Sequence, residues 1–244
     1  MIREIRKKMV ILGNRNFSDM TKNYFRDFEK KDWISRNMIL EGSALERSHI
    51  EALVCGNFIL EATVGDHVMV ERLSNLLERM YENSAKGWPL DLSMINEFKN
   101  ILDGEEESRI PEYRRKNLML AEYDYMAKLP AEIPSAMQEL QLYILRNSGT
   151  SEGSREIFET AVKIHNDIIE IMPYGQGDKV LARAAMVYFL LLKGYPAVLP
   201  ELKETDYNEL FYRYLKIDSA WAFEEEVIGA ILARLELMIQ LTEY

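Results

Sequence analysis

IMPYGQGDKVLAR, residues 171–183, separates two segments whose apolar side chains recur every three or four residues. The upstream set is Ile157, Ala161, Ile164, Ile168 and Ile171. The downstream set is Val180, Ala184, Val187, Leu190 and Leu191. This spacing predicts two helices that each bury one stripe in a core. We therefore expect an all-α fold with a helix–loop–helix motif at its centre.

The loop of this motif leads directly into the N-terminus of a helix. The first backbone N–H groups of a helix lack intrahelical acceptors, and the helix dipole adds partial positive charge, so anions such as phosphates are stabilised there. Gly175 and Gly177 would let the backbone approach such a group closely. Glycine-containing turns between helices also occur without any ligand, so these residues alone leave both alternatives open.

The same stretch resembles the signature of the Fic family, His-Pro-Phe-x-(Asp/Glu)-Gly-Asn-Gly-Arg-x-x-Arg, without a gap. Pro173, Gly177 and Arg183 are identical to the signature, and Tyr174 replaces its Phe. Across residues 37–196 the chain is similar to Fic proteins. The resemblance implies a Fic-like helical array. It also implies kinship with enzymes that transfer AMP, or another phosphate-containing group, to protein hydroxyls.

Several motif positions depart from the family pattern. Met172 stands where the family has the histidine that acts as general base, and a thioether cannot take a proton at neutral pH. Gln176 replaces the carboxylate that holds magnesium, and Asp178 places a negative charge where a phosphate would lie. Lys179 and Val180 replace a glycine and an arginine. Together these changes argue against the family's reaction.

A second resemblance lies in residues 37–43. Many Fic proteins carry an inhibitory helix with the pattern (Ser/Thr)-x-x-x-Glu-(Gly/Asn), which Glu41 and Gly42 match, with Asn37 at the Ser/Thr position. By that correspondence Glu41 pairs with Arg183 in a charge-assisted contact. The alternative is a solvated glutamate. The next residues, Ser43 to Glu46, have the pattern of a capping box that opens a helix.

Residues 111–134 have strand-like rather than helical alternation. In the family the corresponding region is a β-hairpin flap that holds a target peptide by strand addition. If the flap is present, Tyr123, Tyr125 and the basic group around Arg114 are candidates for a partner surface. The alternative is an ordinary surface loop.

Further helices are indicated by apolar spacing and by capping residues. We predict them at about Asp19–Glu29, Ala44–Cys55, His67–Asn83, Asp91 or Ser93 to Gly104, from Pro134, Tyr207–Lys216 and Ala220–Leu241. His165 lies about two turns before Met172, so we interpret it as a partly buried structural histidine rather than a substitute base.

Composition indicates one soluble domain. The chain has 244 residues, 48% of them hydrophobic, a net charge of −10 and one cysteine. That cysteine, Cys55, cannot form an internal disulfide, and we expect it in the core of a cytoplasmic protein. The negative charge disfavours nucleic acid, and no apolar run has the length of a membrane span. We divide the chain into an N-terminal helical extension (1–36), a Fic-like domain (37–200) and completing C-terminal helices (201–244).

Three functions remain open on the sequence. The first is a catalytically degenerate Fic-like protein that acts by binding a protein partner or by regulating an active relative, with no metal and no cofactor; a homo-oligomer is also open. The second is a transferase of altered chemistry that holds ATP, with or without magnesium, through Gly175, Gly177, Lys179 and Arg183. The third is a helical interaction module unrelated to nucleotides.

Overall fold

The computed structural model describes residues 1–106, 109–149, 154–217 and 219–242. Within these ranges the fold is helical, as predicted, with one small two-stranded sheet. The elements are α1 (Ile2–Gly13), α2 (Asp19–Leu40), α3 (Arg47–Val54), α4 (Val64–Ala85), α5 (Leu92–Asp103), β1 (Met119–Leu120), β2 (Tyr125–Met126), α6 (Ile133–Asn147), α7 (Arg155–Ile171), α8 (Asp178–Leu191), α9 (Glu204–Ile217) and α10 (Trp221–Gln240). None of the helices in the described ranges is long and apolar enough to cross a membrane.

The two helices of the central motif form the middle of the array. α7 and α8 pack against each other, and α5, α6 and α10 surround them. Every residue of α8 from Asp178 to Leu190 is buried except Lys179. A helix that is apolar on all sides belongs in a core, which explains why α8 shows little amphipathicity. The loop at its N-terminus is therefore joined to a helix that is buried along almost its whole length.

Several helix boundaries follow the capping residues that the sequence shows. In α4 the Thr63 hydroxyl accepts from the Asp66 N–H at 3.2 Å, and the Asp66 carboxylate accepts from the Thr63 N–H at 2.8 Å. Asp91 caps α5 by accepting from the Met94 N–H at 2.8 Å. Gly104 ends the same helix in the left-handed region, with φ 71°.

The segment around Glu41 differs from the prediction in two respects. α2 continues to Leu40 rather than ending near Glu29, so the boundary drawn between residues 36 and 37 falls inside one helix. The capping box at Ser43 is not formed, and α3 begins at Arg47 without a side-chain cap. The reason is that Ser43 belongs to the end of α2. Its N–H donates to the Met38 carbonyl at 2.9 Å, and Gly42 takes φ 79°, which together make a Schellman-type helix end.

Cys55 is also placed differently from the prediction. It is exposed and follows the last residue of α3. The apolar run 52–55 that suggested a core position ends at the turn of Gly56, whose φ is 80°. The buried members of this helix are Ile50 and Leu53.

The region between α5 and α6 contains the hairpin. β1 and β2 are antiparallel, with Met119 opposite Met126 and Leu120 opposite Tyr125. A single 3₁₀ turn at Ala121–Tyr123 joins them. The segments that flank the hairpin contact the motif loop and the end of α7, because the Arg114 N–H donates to the Pro173 carbonyl at 2.9 Å and the Lys128 N–H donates to the Glu170 carbonyl at 3.4 Å. The flap is therefore present, and the region is not an ordinary loop.

Candidate functional site

The motif loop is held in shape by Arg114. Its Nε donates to the Met172 carbonyl at 2.7 Å, and its Nη2 donates to the Ile171 carbonyl at 3.1 Å. With its own backbone N–H on Pro173, this residue satisfies three consecutive carbonyls. The same guanidinium also donates to the carbonyls of Lys116 and Lys128 in the hairpin segment. Arg114 thus joins the motif loop to the hairpin segment. We had predicted that it belongs to a partner surface, but its guanidinium donates to carbonyls within the chain.

Two of the loop's backbone donors are taken by Asp178. This residue is the first of α8 and is fully buried. Its Oδ2 accepts from the Gly175 N–H at 2.7 Å and from the Tyr174 N–H at 2.9 Å. These amides are the ones that glycine-rich loops usually point at an anion. A carboxylate of the chain itself therefore takes up two amides of the loop, which precede the first N–H groups of α8 where the sequence suggested that an anion would bind.

The Asp178 carboxylate lies in a strongly desolvated environment. Burial raises the pKa of Asp178 to about 6, against the loop amides and the charges of Lys99 and Arg114, which lower it. Lys99 itself is buried and donates to the Gln176 carbonyl at 3.0 Å and to Asp103 at 2.5 Å. The sequence pattern did not indicate that Lys99 contacts the motif loop, because its neighbours in α5 are mainly apolar and belong to no recognisable motif.

Asp178 should make the stability of the protein depend on pH. Because its folded-state pKa is raised above its ordinary value of 3.8, its contribution is fully present below about pH 4 and is lost as pH rises through about 6. We expect Asp178→Asn to remove this loss. The free energy of unfolding of the variant minus that of the native protein should therefore increase by up to about 3 kcal/mol from pH 4 to pH 7. Urea titrations of both proteins at several pH values measure the difference. Parallel curves would contradict the assignment.

The chemical groups of a magnesium–ATP site are not assembled here. Met172 is buried in the left-handed region, with φ 46° and ψ 63°, and carries no proton acceptor of useful basicity. Gln176 is exposed, and the Asp178 carboxylate is turned onto the loop amides. Within the described ranges no cluster of three or more His, Cys, Asp or Glu residues could hold a metal ion. At the motif position that holds magnesium in the family, Gln176 offers a neutral amide, which is a weaker ligand than a carboxylate.

Glu41 and Arg183 meet, as the sequence predicted from the inhibitory pattern. Arg183 Nη2 donates to Glu41 Oε1 at 2.5 Å, and Arg183 Nε donates to Asn37 Oδ1 at 2.8 Å. The Arg183 side chain is fully buried, whereas Glu41 is 31% exposed. Asn37 is held in turn by the Trp33 carbonyl, which accepts from its Nδ2 at 2.9 Å. The sequence analysis did not predict the contact between Asn37 and Arg183. The position of Asn37 at the Ser/Thr site of the inhibitory pattern could have indicated it.

His165 is part of a buried chain of polar groups behind Arg183. Its Nε2 lies 2.7 Å from the Tyr207 hydroxyl and its Nδ1 lies 2.8 Å from Asn166 Oδ1. Burial, with the nearby Arg183 charge, lowers the pKa of His165 to about 3. The neutral ring can donate from Nδ1 and accept the Tyr207 hydroxyl proton at Nε2. The Arg183 guanidinium lies 5.3 Å from the centre of the Tyr207 ring. These contacts give His165 the structural role that we had expected.

The aromatic residues of the hairpin are not equivalent. Tyr123 is buried, donates to Asn208 Oδ1 at 2.5 Å and packs edge-on against Phe211. It is therefore removed from the candidates for a partner surface. The Lys179 Nζ lies 5.2 Å from the centre of the Tyr123 ring. Tyr125 is half-buried, and burial, with the adjacent Glu170, raises its pKa to about 12. On the two strands, Met119 and Met126 are exposed, at 46% and 49%.

Comparison with known proteins agrees with this architecture. Residues 89–190 match the model of the Fic/DOC family. The fold is similar to that of a Fic domain-containing signaling protein from Bacteroides thetaiotaomicron, with a TM-score of 0.80 and 20% identity, over 98% of this chain and 96% of that one.

Two further solved structures show the same fold. Fic-1 from C. elegans has a TM-score of 0.74 and 14% identity, over 98% of this chain and 70% of that one. A Fic family protein from Desulfovibrio desulfuricans has a TM-score of 0.69 and 15% identity, over 100% of this chain and 75% of that one. No curated protein matches the sequence.

Proposed function

We propose that this Fic-like protein is catalytically degenerate and acts in the cytoplasm by binding another protein. The observation that carries the proposal is the Asp178 carboxylate, which satisfies the Tyr174 and Gly175 amides from within the chain. A phosphate approaching the same amides would meet a buried negative group rather than free donors. The loop then serves as a structural turn, and its rigidity supports the hairpin beside it.

The side chains around the loop support the same conclusion. A transfer to a protein hydroxyl needs a group that accepts the hydroxyl proton, and Met172 supplies none. The nearest histidine in the preceding helix, His165, is occupied by Tyr207 and Asn166. Arg183, which would otherwise stabilise phosphate charge, is engaged by Glu41 and Asn37. The side chains that the reaction would need are thus either absent, as the base is at Met172, or hydrogen-bonded within the chain, as His165 and Arg183 are.

The hairpin is the part of this region that could meet a partner. Met119 and Met126 face each other across the strands and are both about half exposed. Methionine adapts its shape to different apolar surfaces at little cost. A two-residue strand pair also leaves an outer edge to which an extended segment can add. A protein that presents an extended segment with apolar side chains would suit this surface.

Calorimetry with ATP and with ADP, each with and without magnesium, tests the proposal. We expect no binding heat from the native protein or from Glu41→Gly, because Asp178 still fills the loop when the Glu41 contact is removed. Glu61→Gly, at an exposed loop position, is the matched control for the effect of a glycine. Binding that appears in Glu41→Gly but not in Glu61→Gly would contradict the proposal and favour a transferase of altered chemistry.

A further inference from the structure

The loop between α3 and α4 carries an exposed apolar surface. Phe58, Leu60 and Val64 are 80%, 83% and 80% exposed, and Val68 follows one turn after Val64 on α4 at 36%. Within the part of the chain that the structure describes, the other large apolar side chain at 80% exposure or more is Met20 in α2. We call Phe58, Leu60, Val64 and Val68 the α4 patch. None of them belongs to the hairpin or to the motif loop.

The backbone that carries the α4 patch is fixed at both ends. At the end of α3 the Gly56 N–H donates to the Leu53 carbonyl at 2.9 Å, and the Asn57 N–H donates to the Ala52 carbonyl at 3.0 Å. These two bonds form a Schellman motif. At the other end the capping box of Thr63 sets the first turn of α4. The exposed side chains therefore stand on a backbone of defined shape.

The loop also separates inward from outward side chains. Ile59 and Ala62 pack against the core, and the Ala62 N–H donates to the Ile59 carbonyl at 3.2 Å. Phe58 and Leu60, on either side of Ile59, stay in solvent. Single apolar side chains on a surface are common, but several together on one ordered segment are typical of an interaction site.

The size of the α4 patch fits the apolar part of a protein–protein interface. Its four side chains expose roughly 400 Å² of hydrocarbon surface. An interface of standard size buries about 800 Å² on each partner, and roughly 60% of that area is apolar. The patch thus supplies most of the apolar area that one side of such an interface needs.

The distribution of charge favours a second copy of this chain as the occupant. Residues 52–65 contain one charged side chain, Glu61, whereas 29% of the whole chain is charged. The next carboxylate, Asp66, already accepts from the Thr63 N–H and hydroxyl. With a net charge of −10, two copies repel each other, and this repulsion is weakest where the facing surfaces carry few charges. A partner selected by charge would instead need ionic groups around the patch.

We propose that the α4 patch is the contact surface of a two-fold symmetric dimer of this chain. In such a dimer the same surface of both copies meets, and an apolar surface can pair with itself without complementary charges. Val64 and Val68 lie on one face of α4, so the first turns of two α4 helices can pack antiparallel, with Phe58 and Leu60 beside them. The proposal does not depend on the partner proposed for the hairpin.

Sedimentation equilibrium of the full chain tests this inference. We expect twice the monomer mass at about 10 μM, and Leu60→Lys should raise the dissociation constant at least about 100-fold because the dimer would bury its charge. Phe58→Lys, at a second exposed position, should act in the same way. Met20→Lys places the same charge at an equally exposed site outside the patch, so it should leave the dimer intact.

Amide hydrogen exchange locates the contact. In the native protein, exchange at residues 57–68 should be slower at about 100 μM than at about 1 μM, whereas Leu60→Lys should show no such difference. A native chain that stays monomeric at about 100 μM would overturn the inference and assign the patch to a different protein. Native affinity in both lysine variants of the patch, or equal dissociation of Met20→Lys, would overturn it as well.

Discussion

Replacing Glu41 by alanine will lower the free energy of unfolding by about 4 kcal/mol, because it leaves a buried guanidinium without its counter-charge. Arg183 is fully buried, and its remaining contacts are the neutral groups Asn37 and Tyr207. Chemical denaturation at neutral pH measures the loss. Glu41→Gln retains an acceptor for the guanidinium and should lose less.

Two further proteins make this result specific to the pair. In Arg183→Met the charge itself is gone, so adding Glu41→Ala to it should cost much less than Glu41→Ala alone, with a coupling energy of about 2 kcal/mol. Glu78→Ala is the comparison for an exposed ion pair, since Glu78 is 53% exposed where it meets Lys30. It should cost less than about 1 kcal/mol. Additive losses in the double variant would show that Glu41 and Arg183 do not interact.

Arg114→Met should destabilise the protein by about 4 kcal/mol, because the side chain's charge-assisted bonds to backbone carbonyls are lost. The carbonyls of Ile171 and Met172 would lose a donor, and the link to the hairpin at Lys128 would be broken. We also expect the hairpin to become mobile, so amide hydrogen exchange at residues 118–127 should accelerate. Denaturation and exchange together measure the two effects.

The neighbouring arginine provides the control for this experiment. Arg115 is 83% exposed and pairs with Glu112 three residues earlier, so Arg115→Met removes the same charge at almost the same place in the chain. It should change stability by less than about 1 kcal/mol and leave exchange in the hairpin unaltered. If Arg115→Met had as large an effect as Arg114→Met, the clamp on the loop carbonyls would not be the cause.

Under the proposed function, these contacts explain how the Fic-like fold is maintained without nucleotide chemistry. Arg183 and Glu41 connect α8 to the end of α2, and Arg114 connects the loop to the hairpin. Both links contribute to the fold whether or not a nucleotide ever binds. If the protein acts by partner binding, as we propose, selection would keep these links and would place no demand for proton transfer or metal binding on Met172 and Gln176.

The sequence was most informative where local spacing and capping decide structure. Apolar periodicity predicted α7 and α8, and Asp91 and Gly104 marked the ends of α5. The inhibitory pattern led to the contact between Glu41 and Arg183, which lie 142 residues apart in the chain. It was least informative at Ser43, where one residue fits both the end of one helix and the start of the next.

What the sequence determined by itself is therefore most of the helices, because these follow from local pattern. By its resemblance to the Fic signature it also indicated a thioether at Met172 in place of a base and a neutral amide at Gln176 in place of a magnesium carboxylate. The tertiary structure alone decided where the remaining polar groups are used. It turned Asp178 onto the loop amides, enclosed Tyr123 against Phe211 and gathered three arginines around Asp32. These partners lie on separate elements, and burial and hydrogen bonding between elements depend on packing that no local pattern records.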